Sequence, residues 1–149
     1  MRGSTPGCSP TGSVIILDTG AFLSGFPRLV TGIMYTVPEV VEEVRDRESR
    51  RLLEEVLALG RLIILDPGDK YQVAAERIAK RGRLTSRLSS TDIKVLALSI
   101  RFKEAGCRVL VATDDYALRR VLRSIGIGIV PLRYKGVSRG GEQYTSDER

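Results

Sequence analysis

Val14-Ile15-Ile16-Leu17-Asp18-Thr19-Gly20-Ala21-Phe22 begins as an unbroken apolar run and ends it on a carboxylate. Such a run, β-branched and without polar alternation, predicts a strand buried on both faces, as in parallel sheets. Comparable runs stand at residues 62–65 (LIIL), 109–112 (VLVA) and 127–130 (IGIV), and segments of helical period fill the intervals. Thr36-Val-Pro-Glu39 reads as a capping box with proline in the first turn of a helix. That helical pattern continues through residues 51–59 and stops at Gly60, a C-cap residue. Residues 71–80 (YQVAAERIAK) predict a helix ending near Gly82. Ser89-Ser-Thr-Asp92 is a second capping box, opening a helix to about Lys103 whose face carries Ile93, Leu96, Ala97 and Ile100. Residues 116–123 form the last helix. Strands separated by helices imply parallel pairing through right-handed crossovers, hence an α/β three-layer sandwich with a four- to five-stranded parallel sheet.

The chain of 149 residues, 42% of them apolar, suits a single domain with a real core. Residues 14–132 carry the folding signals. Residues 1–13 (MRGSTPGCSPTGS) are small, polar and rich in Gly and Pro, the composition of a disordered lead-in, and residues 133–149 read as a flexible tail. No stretch approaches the ~20 apolar residues of a membrane span, so no membrane partner is expected. Cys8 and Cys107 match neither a zinc spacing nor a disulfide framework, which points to a reducing cytoplasm with Cys107 as a buried thiol beside a strand.

Two features of composition narrow the chemistry. With 24 Lys+Arg against 18 Asp+Glu the formal charge is +6, which favours a polyanionic partner. Histidine is absent, which removes His-based acid–base catalysis, His metal sites and Ser-His or Cys-His nucleophiles. Any hydrolysis must run on carboxylates and metal.

Carboxylates stand at the right places. In open parallel sheets ligands sit beyond the carboxyl ends of the strands, where the following helices begin. Asp18 ends the first strand without a capping box to account for it, Asp114 and Asp115 end a later one, and Asp92 and Glu39–Glu43 fall in first turns of helices. Taken singly, Asp92 and Glu39 are explained as capping-box acids and Asp114 as an N-cap. Among the glutamates, Val37, Val40, Val41 and Val44 define a buried face, from whose centre Glu43 lies about 110° and Glu42 and Glu39 about 150° away, making Glu43 the better ligand candidate. Oxygen-only ligands suit Mg²⁺ or Mn²⁺ and exclude zinc. Such an ion activates a bound water and neutralises charge on a phosphoryl oxygen. Thr113, just before the acid pair, is placed to hold a water or a carboxylate, or simply to end a strand.

In order along residues 14–132, Asp18-Thr-x-Ala-Phe22, Thr36-x-Pro-(x)₄-Glu43, Leu88-Ser-x-x-Asp92-(x)₃-Leu-Ala-Leu98 and Thr113-Asp-Asp-Tyr116 resemble the PIN-domain ribonucleases. The resemblance implies a four- or five-stranded parallel sheet, a metal site of three or four acids and cleavage of single-stranded RNA. Carried over, the catalytic and metal residues are Asp18, Glu43, Asp92 and Asp115, with Asp114 as neighbour or substitute. The segments at residues 88–98 and 113–116 look closest to the ribosome-biogenesis branch, the Nin-one-binding endonucleases that mature small-subunit ribosomal RNA. The chain departs from that branch at Arg119-Arg120, where Gln-Asn is usual, at Gly20, where a small hydroxyl residue is common, and in lacking the Cys pairs of a C-terminal zinc ribbon.

Arg77, Lys80, Arg81, Arg83 and Arg87 precede the Asp92 helix, and Arg119, Arg120 and Arg123 follow the acid pair. Both groups suit phosphate contacts that hold RNA without reading sequence, and both also suit a solvated helix face. Aromatics are only 5% of the chain, which excludes extensive base stacking, although Tyr116 and Phe22 fall near the acids. Besides ribosomal RNA processing with an assembly partner, the pattern fits a toxin ribonuclease paired with an antitoxin. A catalytically silent RNA-binding module is the reading from another class. Homodimerisation through residues 37–44 or 52–59 is a further expectation.

Overall fold

The computed structural model describes Cys8 and residues 12–132; the expected tail, and the lead-in apart from Cys8 and residues 12–13, lie outside the described residues. Five parallel strands form one sheet: β1 (Ser13–Leu17), β2 (Met34–Thr36), β3 (Leu62–Ile64), β4 (Arg108–Ala112) and β5 (Gly128–Val130), in the order β3-β2-β1-β4-β5. Six α-helices join them: α1 (Thr19–Leu23), α2 (Pro38–Glu43), α3 (Arg47–Ala58), α4 (Asp69–Arg81), α5 (Ser90–Glu104) and α6 (Tyr116–Ser124). From β1 the chain steps outward to β2 and β3, then crosses back beside β1 to β4 and β5. Right-handed crossovers put the helices of the two halves on opposite faces. α1 packs on α3, and α5 lies against β1 and β4 beside α4. The strand order reverses at β1 and β4, and there the crevice of a parallel sheet opens.

β2 is the strand that the hydrophobic pattern does not reveal. It has only three residues, all buried, and is held by β1 on one side and β3 on the other. Its last residue corrects the expected capping box. Thr36 is strand, its hydroxyl donates to the Leu17 carbonyl at 2.7 Å, and Val37 caps α2 with no side-chain bond. Pro38 at the first helical position sets this start, since its fixed φ belongs inside the helix. Glu39 is freed from capping and pairs with Lys94 at 3.7 Å, a lysine that also meets Asp66 at 3.2 Å.

The expected long helix is two helices. α2 gives way to an extended Val44, and Asp46 restarts the chain as the N-cap of α3 by accepting the Ser49 amide at 2.9 Å. Arg50 reaches back to the Val41 and Val44 carbonyls at 3.1 and 3.2 Å, satisfying acceptors that a helix end leaves open. α3 ends on Leu59, followed by Gly60 in the left-handed conformation at φ 71°.

The core explains two further differences. α5 is buried nearly all round: Val95, Leu98 and Phe102 are as inaccessible as Leu96 and Ala97, while Ile93 and Ile100 are only half-buried. Its contacts with strands and helices on several sides account for this. Val37, Val40 and Val44 also belong to the core, so residues 37–44 offer no apolar stripe for pairing, whereas Leu57 and Leu59 near the end of α3 are exposed.

The cysteines are corrected as well. Cys8 and Cys107 form a disulfide with Cα atoms 5.6 Å apart, so Cys107 is no free thiol. Among the described residues no helix is long and apolar enough to cross a membrane.

Candidate active site

Leu17 of β1 is in register with Ala112 of β4, so the residues that follow them stand side by side at the carboxyl edge. The Asp18 amide donates to the Ala112 carbonyl at 3.2 Å. Thr113 donates its hydroxyl to Asp18 Oδ2 at 2.6 Å and accepts the Asp115 amide at 3.1 Å. Asp18 Oδ1 accepts the Thr19 amide at 2.8 Å, so Asp18 also caps α1, a role its sequence context does not announce.

Asp92 sits at the third position of α5, where the expected capping box forms. Its Oδ2 accepts the Ser89 amide at 2.9 Å and its own amide donates to Ser89 Oγ at 3.0 Å. Asp115, rather than Asp114, caps α6 by accepting the Leu118 amide at 2.7 Å. Asp114 is engaged elsewhere: its Oδ1 accepts the Leu132 amide at 3.1 Å, tying down the chain beyond β5. Glu43, the last residue of α2, accepts Thr19 Oγ1 at 2.6 Å and Thr91 Oγ1 at 2.7 Å, one on each oxygen. Neither threonine carries a sequence pattern that marks it as a site residue. Their one local signal is a hydroxyl directly beside each of two candidate acids, Asp18 and Asp92.

Asp18 and Asp92 are each only 8% exposed, yet carry carboxylates. Burial pushes the Asp18 carboxyl above its ordinary value; hydrogen bonds from Thr113 and Thr19 oppose this, and Asp115 and Glu43 add repulsion. Asp92 is pushed up to about 6, again chiefly by burial, with Asp115 and Asp18 repelling its charge and the Ser89 amide opposing. The mutual repulsion places Asp18, Asp92 and Asp115 within electrostatic reach of one another. Among the described residues none of Asp18, Glu43, Asp92 and Asp115 has a Lys or Arg ion-pair partner.

A divalent cation fits this donor set. The groups are all oxygens, they repel one another, and among the described residues no side-chain cation pairs with them. They form an open set, because among the described residues no three acids are gathered tightly enough to hold an ion as they stand. A cavity of about 430 Å³ lies elsewhere, between α1 and the start of α3, lined by Phe22, Leu29 and Glu48 among others.

Residues 15–102 match the family model for the PIN domain of ribonuclease. The chain belongs to the PIN-domain family. Among its relatives, "Ribonuclease VapC3" of Aeropyrum pernix is 50% identical over 91% of this chain and 99% of its own length. "Endoribonuclease Nob1" of Pyrococcus abyssi is 33% identical over 85% of this chain and 70% of its own length. The Nob1 of Methanothermobacter thermautotrophicus is 38% identical, covering 82% and 70% respectively. In fold, the chain resembles VapBC2 from Rickettsia felis, solved bound to a DNA fragment from its promoter, with a TM-score of 0.54 at 11% identity over 80% of this chain and 99% of that one. The five-stranded parallel sheet is that of the PIN fold, and the ribosome-biogenesis branch singled out by residues 88–98 and 113–116 is represented among the relatives.

The arginines expected to contact RNA differ in exposure. Arg87 stands two residues before the Ser89 cap of α5, and Arg81 and Arg83 lie in the chain leading to it; all three are exposed. Arg120 on α6 is exposed and Arg119 is half-buried, with a buried Nε that has no hydrogen-bond partner. Tyr116 is 58% exposed, whereas Phe22, at 2%, is core.

Proposed function

We propose that this PIN domain is a metal-dependent endoribonuclease that cuts single-stranded RNA. The observation that carries the reading is the pair of buried carboxylates, Asp18 and Asp92, raised by burial and by repulsion from Asp115, with no ion-pair partner among the described residues. Burying carboxylates that hydrogen bonds offset only in part is costly, and such groups concentrate at functional sites. Asp18, Asp92 and Asp115 would hold Mg²⁺ or Mn²⁺, with Glu43 at their border. When bound, such an ion supplies an activated water and neutralises charge on the phosphoryl oxygen. Thr113 orients Asp18, and Arg81, Arg83, Arg87, Arg119 and Arg120 would hold the phosphate backbone without reading bases, so binding should weaken steeply with salt.

The test is cleavage of an unstructured RNA in Mn²⁺. Internal cuts should appear, and should be lost in EDTA and in an Asp18→Asn, Asp92→Asn double variant that still melts cooperatively. Undiminished cutting by that variant would sink the proposal. A silent RNA-binding module, by contrast, would bind RNA and show no divalent ion in calorimetry.

For the RNA itself, the motifs at residues 88–98 and 113–116 and the Nob1 relatives support ribosomal RNA processing. The VapC relative, 50% identical over 99% of its length, favours a toxin held by an antitoxin. Growth arrest on expression, relieved by a neighbouring reading frame, selects the toxin; accumulation of unprocessed small-subunit RNA on depletion selects processing. Pairing of two copies through the exposed end of α3, at Leu57 and Leu59, is compatible with either.

A further inference from the structure

We infer that Thr19 and Thr91 are positioning residues of the same site, acting through Glu43; the inference rests on the nuclease reading above. Glu43 stands at the C-terminus of a short helix, where the backbone turns extended at Val44 and the helix dipole disfavours a negative charge. Nothing within α2 fixes this exposed side chain, and an unrestrained glutamate would spread over its rotamers. Two hydroxyl donors from two other helices select one arrangement. Thr19 reaches Oε1 at 2.6 Å from the first residue of α1, and Thr91 reaches Oε2 at 2.7 Å from the first turn of α5.

Their neighbours in sequence give the link its function. Thr19 follows Asp18 and Thr91 precedes Asp92, so the path Asp18–Thr19···Glu43···Thr91–Asp92 ties the two buried acids together through a third. Each hydroxyl donates its hydrogen to Glu43, and each carboxylate oxygen keeps a second lone pair for a water or a cation. A threonine at either place therefore fixes both where Glu43 points and how the starts of α1 and α5 are spaced. The core beneath is apolar and does not depend on these bonds. Outer-shell partners of this kind commonly change metal affinity or activity by ~10–100-fold when removed.

The experiment is Mn²⁺ calorimetry and RNA cleavage with Thr19→Val and Thr91→Val, their serine and alanine counterparts, Glu43→Ala, and Glu43→Ala combined with Thr91→Val. Each valine variant should weaken Mn²⁺ binding and slow cleavage by about tenfold with little change in melting temperature. Serine should restore both properties. Alanine, which also lacks the hydroxyl, should reproduce the loss and serves if a valine variant fails to fold. In the Glu43→Ala background Thr91→Val should add nothing, because both act on one interaction. Wild-type binding and cleavage in the valine and alanine variants overturns the assignment, as does an undiminished effect of Thr91→Val without Glu43. Wild-type protein that neither binds Mn²⁺ nor cuts RNA overturns the nuclease reading itself, and this role with it.

Discussion

Thr113 and Asp18 are 95 positions apart in the chain, yet the Thr113 hydroxyl donates to the Asp18 carboxylate at 2.6 Å. The parallel register of β1 and β4 makes them neighbours, and the bond offsets part of the penalty for burying Asp18. Thr113→Val keeps the shape and removes the donor. The Asp18 carboxyl should rise further, moving the acid limb of the cleavage rate to higher pH, and stability at neutral pH should fall by roughly 1–3 kcal/mol. Thr113→Ser should stay close to wild type. A pH–rate profile and denaturant unfolding measure the two effects, and an acid limb unmoved by Thr113→Val would mean that the hydroxyl does not support the ionised form.

Asp92 makes the fold pH-sensitive in a direction opposite to ordinary acid unfolding. Its folded value of about 6 lies above the ordinary 3.8, so between those values the folded state binds the proton more tightly than the unfolded chain. Its contribution to stability is therefore fully present below pH 3.8 and is lost as pH rises through about 6. In EDTA, Asp92→Asn should melt above wild type at pH 7, and the gap should close towards pH 4. Mn²⁺ should raise the wild type at pH 7 and leave the variant nearly unmoved. Melting curves across this range check the sign; a gap of the same size at both ends would show that burial does not penalise the Asp92 charge.

The adjacent acids Asp114 and Asp115 should separate by assay. Asp114 holds the Leu132 amide, so Asp114→Ala should lower stability by about 1 kcal/mol and leave cleavage close to wild type. Asp115→Ser keeps an N-cap oxygen for α6 but removes the charge, so stability should hold while cleavage drops by ~100-fold or more, at least what outer-shell changes cost. Equal loss of activity in both variants would place Asp114 in the site beside its neighbour.

What was legible in the sequence was whatever a local pattern encodes. The apolar run ending at Asp18 and the box at Ser89–Asp92 both have continuous signals within a few residues, and both stand where expected. β2 does not, because three residues offer no period and its stability comes from strands on either side. α1, with five residues, is too short for helical periodicity. Thr36–Glu39 carries the letters of a capping box, but Pro38 moves the helix start and β2 claims the threonine. The hydroxyl partners of Glu43 lie 24 and 48 positions away, so no spacing rule brings them together; only the crossovers do.

The cysteines are the longest-range case of this kind, paired across 99 positions at the edge opposite the acids. Cys107 directly precedes β4, whose first residue, Arg108, donates its amide to the Gly12 carbonyl just before β1 at 2.7 Å. A cross-link over so long a loop removes much unfolded-state entropy, typically worth about 2–4 kcal/mol. Reductant, or Cys8→Ser, should therefore lower the melting temperature by on the order of 10 °C. Cleavage by the folded protein at low temperature should stay unchanged, since neither cysteine touches an acid. Thiol labelling of the native protein without reductant should find no free cysteine. Two labelled thiols and a melting temperature indifferent to reductant would instead return Cys107 to the buried thiol that its spacing suggests.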